Sequence, residues 1–295
     1  MKRLGDIEWK TFFVKLYNKI MDTDIFGAAA QVGFYFSFSF FPLLFFIVSL
    51  FGMVLDSTDA LRDQLYVYLA RLMPFSAYEL VRRTMDEIIE NSSGGKLTLG
   101  IFITLWSASA GIDSLRSALN QVYQLKESRS WIKTKLQSLA LTFLFILLIS
   151  FSLATVTAGW NFVEFVVASA GFHITSPLIL KSMQWIAIIT VTIFATAVVY
   201  SWLPCFEKFR WFWISPGAGV AILLWLAFSG GFRLYLHYFN SYNRAYGSLG
   251  AVIILMLWMY LTGMAILLGG AINSVLTKMS EPDSAKTLDD AAEGL

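Results

Sequence analysis

The side chains able to do chemistry are few and far apart. The 295 residues include two histidines, His173 and His237, one cysteine, Cys205, and 20 acidic residues. No HExxH helix is present to hold zinc, and no G-x-S-x-G elbow to expose a serine nucleophile. RNA cleavage would need a positioned acid and base, or a metal, on the cytoplasmic side. Both histidines fall on the outer side of the topology derived below, and the inner loops carry no paired acidic cluster, so ribonuclease chemistry is rejected. A single cysteine excludes an intrachain disulfide and a multi-cysteine metal site. No catalytic residue, metal or cofactor is expected, and the chain is not read as an enzyme.

What remains is polar material at membrane depth, which is costly and therefore a functional signal by default. Asp113, Arg116 and Asn120 lie close to one helical face. They form either an interfacial salt bridge with a helix-end amide, or a gate or ion site. Arg233, Tyr235, His237, Tyr238, Phe239, Tyr242 and Arg244 make a second group. Aromatics and arginines at a boundary form an anchoring belt; the alternative is a vestibule that attracts an anionic solute or lipid head group. Gln31, Gln184 and Asn273 lie deeper, where each can cross-link helices by hydrogen bonds or contact cargo.

Composition dictates the elements that must carry these groups. Hydrophobic residues make up 57% of the chain and charged residues 14%, outside the roughly 45–50% and 25% of a soluble domain. That balance describes a polytopic, all-α membrane protein. A net charge of +2 is too small for a nucleic-acid partner. Six charge-free runs predict about six spans, near 25–55, 97–112, 136–163, 182–206, 211–232 and 245–277. The second is short for a hydrocarbon core of about 30 Å, which puts Asp113 and Arg116 near or inside a membrane boundary. The first begins at Ile25 and exceeds the 7–15 residues of a signal-peptide core, so it is expected to stay in the mature protein. The last opens with Tyr246, Gly247, Ser248 and Gly250, a predicted tight turn, and Gly247 with Ala251 forms a small-xxx-small pair.

Pro42 interrupts the first span by removing a backbone donor and freeing the carbonyl of Phe38. Small and polar residues gather ahead of it, including Gln31, Gly33, Ser37 and Ser39. This suits either a discontinuous helix lining a cavity or an ordinary proline kink. Residues 1–24 contain an amphipathic stretch with Lys10, Lys15 and Lys19 set opposite its apolar face, predicting a helix in the cytoplasmic interface or packed on the protein itself. Residues 56–95 split at Pro74 into a predicted pair of amphipathic outer helices. Residues 160–181 form a rather apolar loop, and 278–295 a polar tail expected to be disordered. With the N-terminus inside, the inner segments hold 14 of the 22 lysines and arginines, which favours both termini in the cytoplasm.

Trp213-Ile214-Ser215-Pro216-Gly217, then Tyr235, Phe239, Tyr242, Tyr246-Gly247 and Gly269-Gly270, resemble the C-terminal signature of the YihY/BrkB family of bacterial inner-membrane proteins. Phe41-Pro42-Leu43-Leu44, Trp106-Ser107-Ala108, Leu119-Asn120 and Tyr123 look like its other blocks. The similarity covers about residues 10–276. It implies a six-helix integral membrane protein; members have been labelled ribonuclease or virulence factor, the first label being generally regarded as mistaken. The chain departs from the family at Gly269-Gly270-Ala271-Ile272-Asn273, where relatives usually carry an acidic residue in a Gly-Ala-Glu-Leu-Asn-like ending. Any mechanism resting on that carboxylate does not carry over.

The expected role is a permease or exporter of a small solute or lipid, with a cavity near Pro42 and the last span. The expected pathway or gate residues are Gln31, Pro42, Asp113, Arg116, Asn120, Arg233, His237, Tyr246, Gly247 and Asn273. The rival is a non-transporting scaffold of the cell envelope. The lipid bilayer is the expected partner, and a homo-oligomer is compatible with the sequence.

Overall fold

The computed structural model describes residues 8–54, 97–157, 176–207, 215–238 and 248–280, with isolated positions between 66 and 83 and between 164 and 171. Among these residues there is no strand. Seven long helices follow in order: α1 (Trp9–Asp22), α2 (Ile25–Val54), α3 (Leu97–Tyr123), α4 (Trp131–Thr157), α5 (Pro177–Trp202), α6 (Pro216–Tyr238) and α7 (Ser248–Ser280). Among the described residues five of them, α2, α4, α5, α6 and α7, contain stretches long and apolar enough to cross a membrane. The chain is an all-α, multi-pass membrane protein.

That count is made of the described residues and does not decide α3, whose opening stretch in the sequence carries Leu97, Leu99, Ile101, Phe102 and Ile103. Ser107, Ser109, Asp113, Ser114 and Arg116 dilute its hydropathy, yet its 27 residues extend about 40 Å. It lies against α2, α4 and α7. A helix enclosed by neighbours needs no apolar surface all round, so Ser109, Ser114 and Asn120 can be carried there buried. Asp113, Arg116 and Asn120 consequently sit within the helix rather than after it.

The other helices are offset from the charge-free runs by a few residues, because caps and turns, not charges, set helix ends. α5 starts at Pro177 and α6 at Pro216, the position where a missing N–H costs nothing. α4 begins at Trp131 and includes Lys133 and Lys135. α7 carries its helix through Lys278 to Ser280, so the start of the tail is helical. α2 runs unbroken from Ile25 to Val54 through Pro42, which excludes a discontinuous helix. The expected 56–95 helical pair falls largely, and residues 281–295 wholly, outside the described residues, while the expected 160–181 loop ends early because 177–181 already belong to α5.

Among the described residues the connected core cluster sits at one end. Ile25, Ala29 and Val32 of α2, Leu115, Leu119 and Val122 of α3, Val198 to Tyr200 of α5, Ala218 and Ala221 of α6, and Leu267 and Ala271 of α7 form one buried cluster. At that end the Gln121 side chain donates to the Thr23 carbonyl at 2.9 Å, and Lys278 Nζ to Gln124 Oε1 at 2.7 Å. The start of α2 and the ends of α3 and α7 therefore coincide, and successive helices from α2 to α7 alternate in direction. Toward the other end Ile186, Ile189, Leu223, Leu226 and Leu234 are exposed.

Small residues let the central helices meet. A Cβ on Gly33 of α2 would stand 2.7 Å from the Tyr260 backbone of α7, closer than packed atoms come. α1 lies against α7, burying Phe12 and packing Leu16 and Ile20 on the core. Its other face exposes Trp9, Phe13 and Tyr17. Lys19 departs from the sequence expectation: seven residues after Phe12, it falls on the packed face and is buried.

Candidate functional site

Two polar clusters occupy the packed end. The first joins α3, residues 124–130, α4 and the end of α5. Asp113 divides its carboxylate between Arg116, at 2.9 Å to Oδ1, and Lys135, at 2.9 Å to Oδ2. Arg116 also donates to Ser138 Oγ at 2.5 Å and to the Thr134 carbonyl at 3.0 Å. Lys135 reaches Ser109 Oγ at 2.7 Å and lies over the Trp106 ring at 4.4 Å. Both cationic side chains are only 12% exposed; Asp113 answers both, and Arg116 Nε also lies 3.7 Å from Glu127 Oε2.

Glu127 and Arg129 extend the cluster. Their side chains pair through two contacts of 2.7 Å. Arg129 goes on to Gln137 Oε1 at 2.7 Å and to the Leu203 carbonyl at 3.0 Å, tying the loop to α4 and the end of α5. The hydrogen bond from Arg129 holds the Glu127 carboxyl down to about 2 despite the opposing effect of burial, and the same pairing raises the Arg129 guanidinium. Asn120 completes the join, donating to Glu127 Oε2 at 3.0 Å and accepting the Cys205 N–H at 2.8 Å.

The second cluster latches α6 to α7. Pro216 opens α6 and has no N–H to satisfy. The Gly217 N–H donates to Asn273 Oδ1 at 2.9 Å, while Ser215 caps the helix by accepting the Ala218 N–H on Oγ at 3.1 Å and the Gly219 N–H on its carbonyl at 3.2 Å. Asn273 Nδ2 donates to Ser215 Oγ at 2.9 Å. Every donor of the first turn thus has a partner. The approach is tight because both helices present glycine: a Cβ on Gly217 would overlap the Gly269 carbonyl and the Asn273 side chain. Tyr200 lies beside this contact, its hydroxyl donating to the Ile266 carbonyl at 2.8 Å.

The predicted site residues therefore separate. Asp113, Arg116 and Asn120 come together in the first network. Asn273 is buried in the latch. Pro42 is half-buried, roughly 25 Å along α2 from Ile25, and Gln31 is exposed. Arg233 is exposed on α6; the His237 side chain, Tyr246 and Gly247 lie outside the described residues. Gln184 cross-links α5 to α4 through the Thr155 carbonyl at 3.0 Å. Sequence reasoning missed Lys135 and Ser138 because their partners lie on another helix, where no spacing rule reaches, and Glu127 and Arg129 because they pair within a segment that is not helical. Ser215 and Gly217 were visible as a motif, but their contact with Asn273 was not.

Among the described residues no group of three metal-ligating side chains converges. The polar groups of both clusters face one another, so what the arrangement does chemically is to bind helices together.

YfkH of Bacillus subtilis (strain 168), named a ribonuclease-like protein, is 30% identical over 274 residues, covering 92% of this chain and 98% of that protein. UPF0761 membrane proteins of Xanthomonas oryzae pv. oryzae (strain PXO99A) and Xanthomonas campestris pv. campestris (strain B100) are each 25% identical. These cover 88% and 89% of this chain, which spans only 59% and 60% of their length. No solved structure matches the chain. The Virulence factor BrkB profile matches residues 16–293, and the chain belongs to that family.

Proposed function

We propose that this protein is a transport-type component of the bacterial inner membrane, moving a small solute or a lipid, and that it is not an enzyme. The observation carrying this reading is the placement of the core cluster. Among the described residues the connected core cluster and both polar clusters lie at one end, whereas large apolar side chains are exposed at both ends, as on a lipid-facing surface. A pathway closed at the end that holds the core cluster and opening toward the other, with Pro42 at its border, accounts for that placement. The lysine and arginine balance supports placing the packed end and both termini in the cytoplasm.

A scaffold reading is favoured by a different observation. Asn273, Asp113 and Arg116 are satisfied by protein groups, as expected of cross-links rather than a hydrated lining. Release from proteoliposomes preloaded with small metabolites and inorganic ions, read by mass spectrometry beside a labelled-phospholipid redistribution assay, separates the two. Selective loss of one solute class, or faster lipid redistribution, supports transport. Retention of every solute and unchanged lipid asymmetry, in vesicles holding folded protein in both orientations, would transfer the role to a scaffold.

A further inference from the structure

Lys19 is 7% exposed, and its ammonium group is buried without a hydrogen-bond partner. An unpaired buried ammonium is strongly unfavourable, and this one has a second cation nearby. Burial first, and then the charge of Lys278, hold the Lys19 ammonium down to about 8; Asp22 acts in the opposite direction. Lys278 lies at the end of α7, exposed apart from its hydrogen bond to Gln124. α1 packs against α7, so Lys19 and Lys278 bring two positive groups from different helices to one junction, where no protein anion hydrogen-bonds to Lys19.

The frame around them is fixed. The Thr23 hydroxyl donates to the Lys19 carbonyl at 2.6 Å, and Gln121 holds the Thr23 carbonyl, so the α1–α2 corner is anchored to α3. Trp9, Phe13 and Tyr17 project from the opposite face of α1, as in a helix resting at the level of lipid head groups. Basic pockets between helices near a membrane surface bind phosphate-bearing head groups. A lysine side chain is long and flexible enough to swing toward an arriving anion.

We propose that Lys19 and Lys278 form a binding site for a phosphate-bearing anion at the α1–α7 junction, supplied by an anionic phospholipid head group or by inorganic phosphate. The anion pairs the Lys19 ammonium and screens it from Lys278.

The test is native mass spectrometry of the full chain in neutral detergent, titrated separately with phosphatidylglycerol, phosphatidylcholine and inorganic phosphate. Lys19→Gln and Lys278→Gln are each expected to weaken phosphatidylglycerol binding by roughly five- to tenfold, as removal of one cationic contact does, while Lys19→Arg retains it. If both glutamine variants instead lose only inorganic phosphate, the source is the soluble ion. Equal retention of every probe by the wild type and both glutamine variants, with unchanged melting temperatures, overturns the site. Should Lys19→Gln fail to fold, the exposed Lys278 carries the same comparison alone.

Discussion

Asn273 Oδ1 accepts the Gly217 N–H at 2.9 Å, so one side chain of the last helix satisfies the donor that its neighbour's first turn would leave open. Asn273→Leu removes that acceptor and the donor to Ser215, at an expected cost of about 1–3 kcal/mol. Gly217→Ala forces a methyl group into the Gly269 carbonyl, and overpacking of this kind costs about 1–3 kcal/mol or more. Both variants should melt earlier in detergent, and Ala218→Gly, one position along, should not reproduce the size of the Gly217 effect. Unchanged melting of Gly217→Ala would refute the close approach of α6 to α7.

Asp113 is the one carboxylate bonded to both Arg116 and Lys135. Asp113→Asn leaves two largely buried cations without that partner, and breaking a buried pair from one side costs about 3–5 kcal/mol. Removing Lys135 as well relieves part of the loss, so the double variant Asp113→Asn/Lys135→Met should be more stable than Asp113→Asn alone. Thermal melting of the four-member cycle reads the coupling directly; additive losses would mean that Asp113 and Lys135 act independently.

Glu127 supplies a pH dependence with a definite sign. Pairing with Arg129 lowers its carboxyl from an ordinary 4.5 to about 2. The folded protein therefore binds fewer protons than the unfolded chain between these values, and stability contributed above pH 4.5 is lost as pH falls toward 2. Melting temperature should drop over that window, and Glu127→Gln should flatten the drop while lowering the plateau near neutrality. An acid limb identical in the two proteins would show that the pair contributes nothing.

Much of the fold was legible because bilayer physics writes itself into composition: the long charge-free run from Ala245 to Thr277 lies mostly within α7. α3 was read as a span but ended too early, since a helix surrounded by protein can carry Ser109, Asp113 and Arg116 and continues to Tyr123. The grouping of Asp113, Arg116 and Asn120 followed from helical spacing. Lys135 and Asn273's attachment to Gly217 did not, because their partners are set by tertiary contact between distant segments. Lys19 was misplaced for a related reason: α1 has apolar residues around much of its circumference, and only the contact with α7 decides which face is buried.

Pro42 tests the position of the pathway. Because α2 is already continuous there, Pro42→Ala restores a donor for the Phe38 carbonyl without requiring a new fold. Stability should be unchanged or raised by up to about 1 kcal/mol. If the opening half of the bundle carries transport, release from proteoliposomes should fall although the protein melts no earlier. Normal release with normal stability would detach the pathway from this part of α2.

Lys19 gives the opposite pH sign to Glu127. Its ammonium, flanked by Lys278 and Asp22, titrates near 8 in the folded protein against an ordinary 10.5. Between those values the unfolded chain binds the extra proton, so raising the pH stabilises the fold as the penalty of the buried charge disappears. Other lysines and tyrosines also titrate there, so the informative quantity is the difference from Lys19→Met. In detergent free of phosphate and anionic lipid, the wild type should gain melting temperature relative to Lys19→Met as pH rises from 8 to 10.5. Adding phosphatidylglycerol should reduce that relative gain, because an anion beside the ammonium raises its proton affinity and removes part of the penalty at lower pH. A difference curve that is flat with and without the lipid would mean that Lys19 is solvated after all, and the buried cation would lose its claim on a ligand.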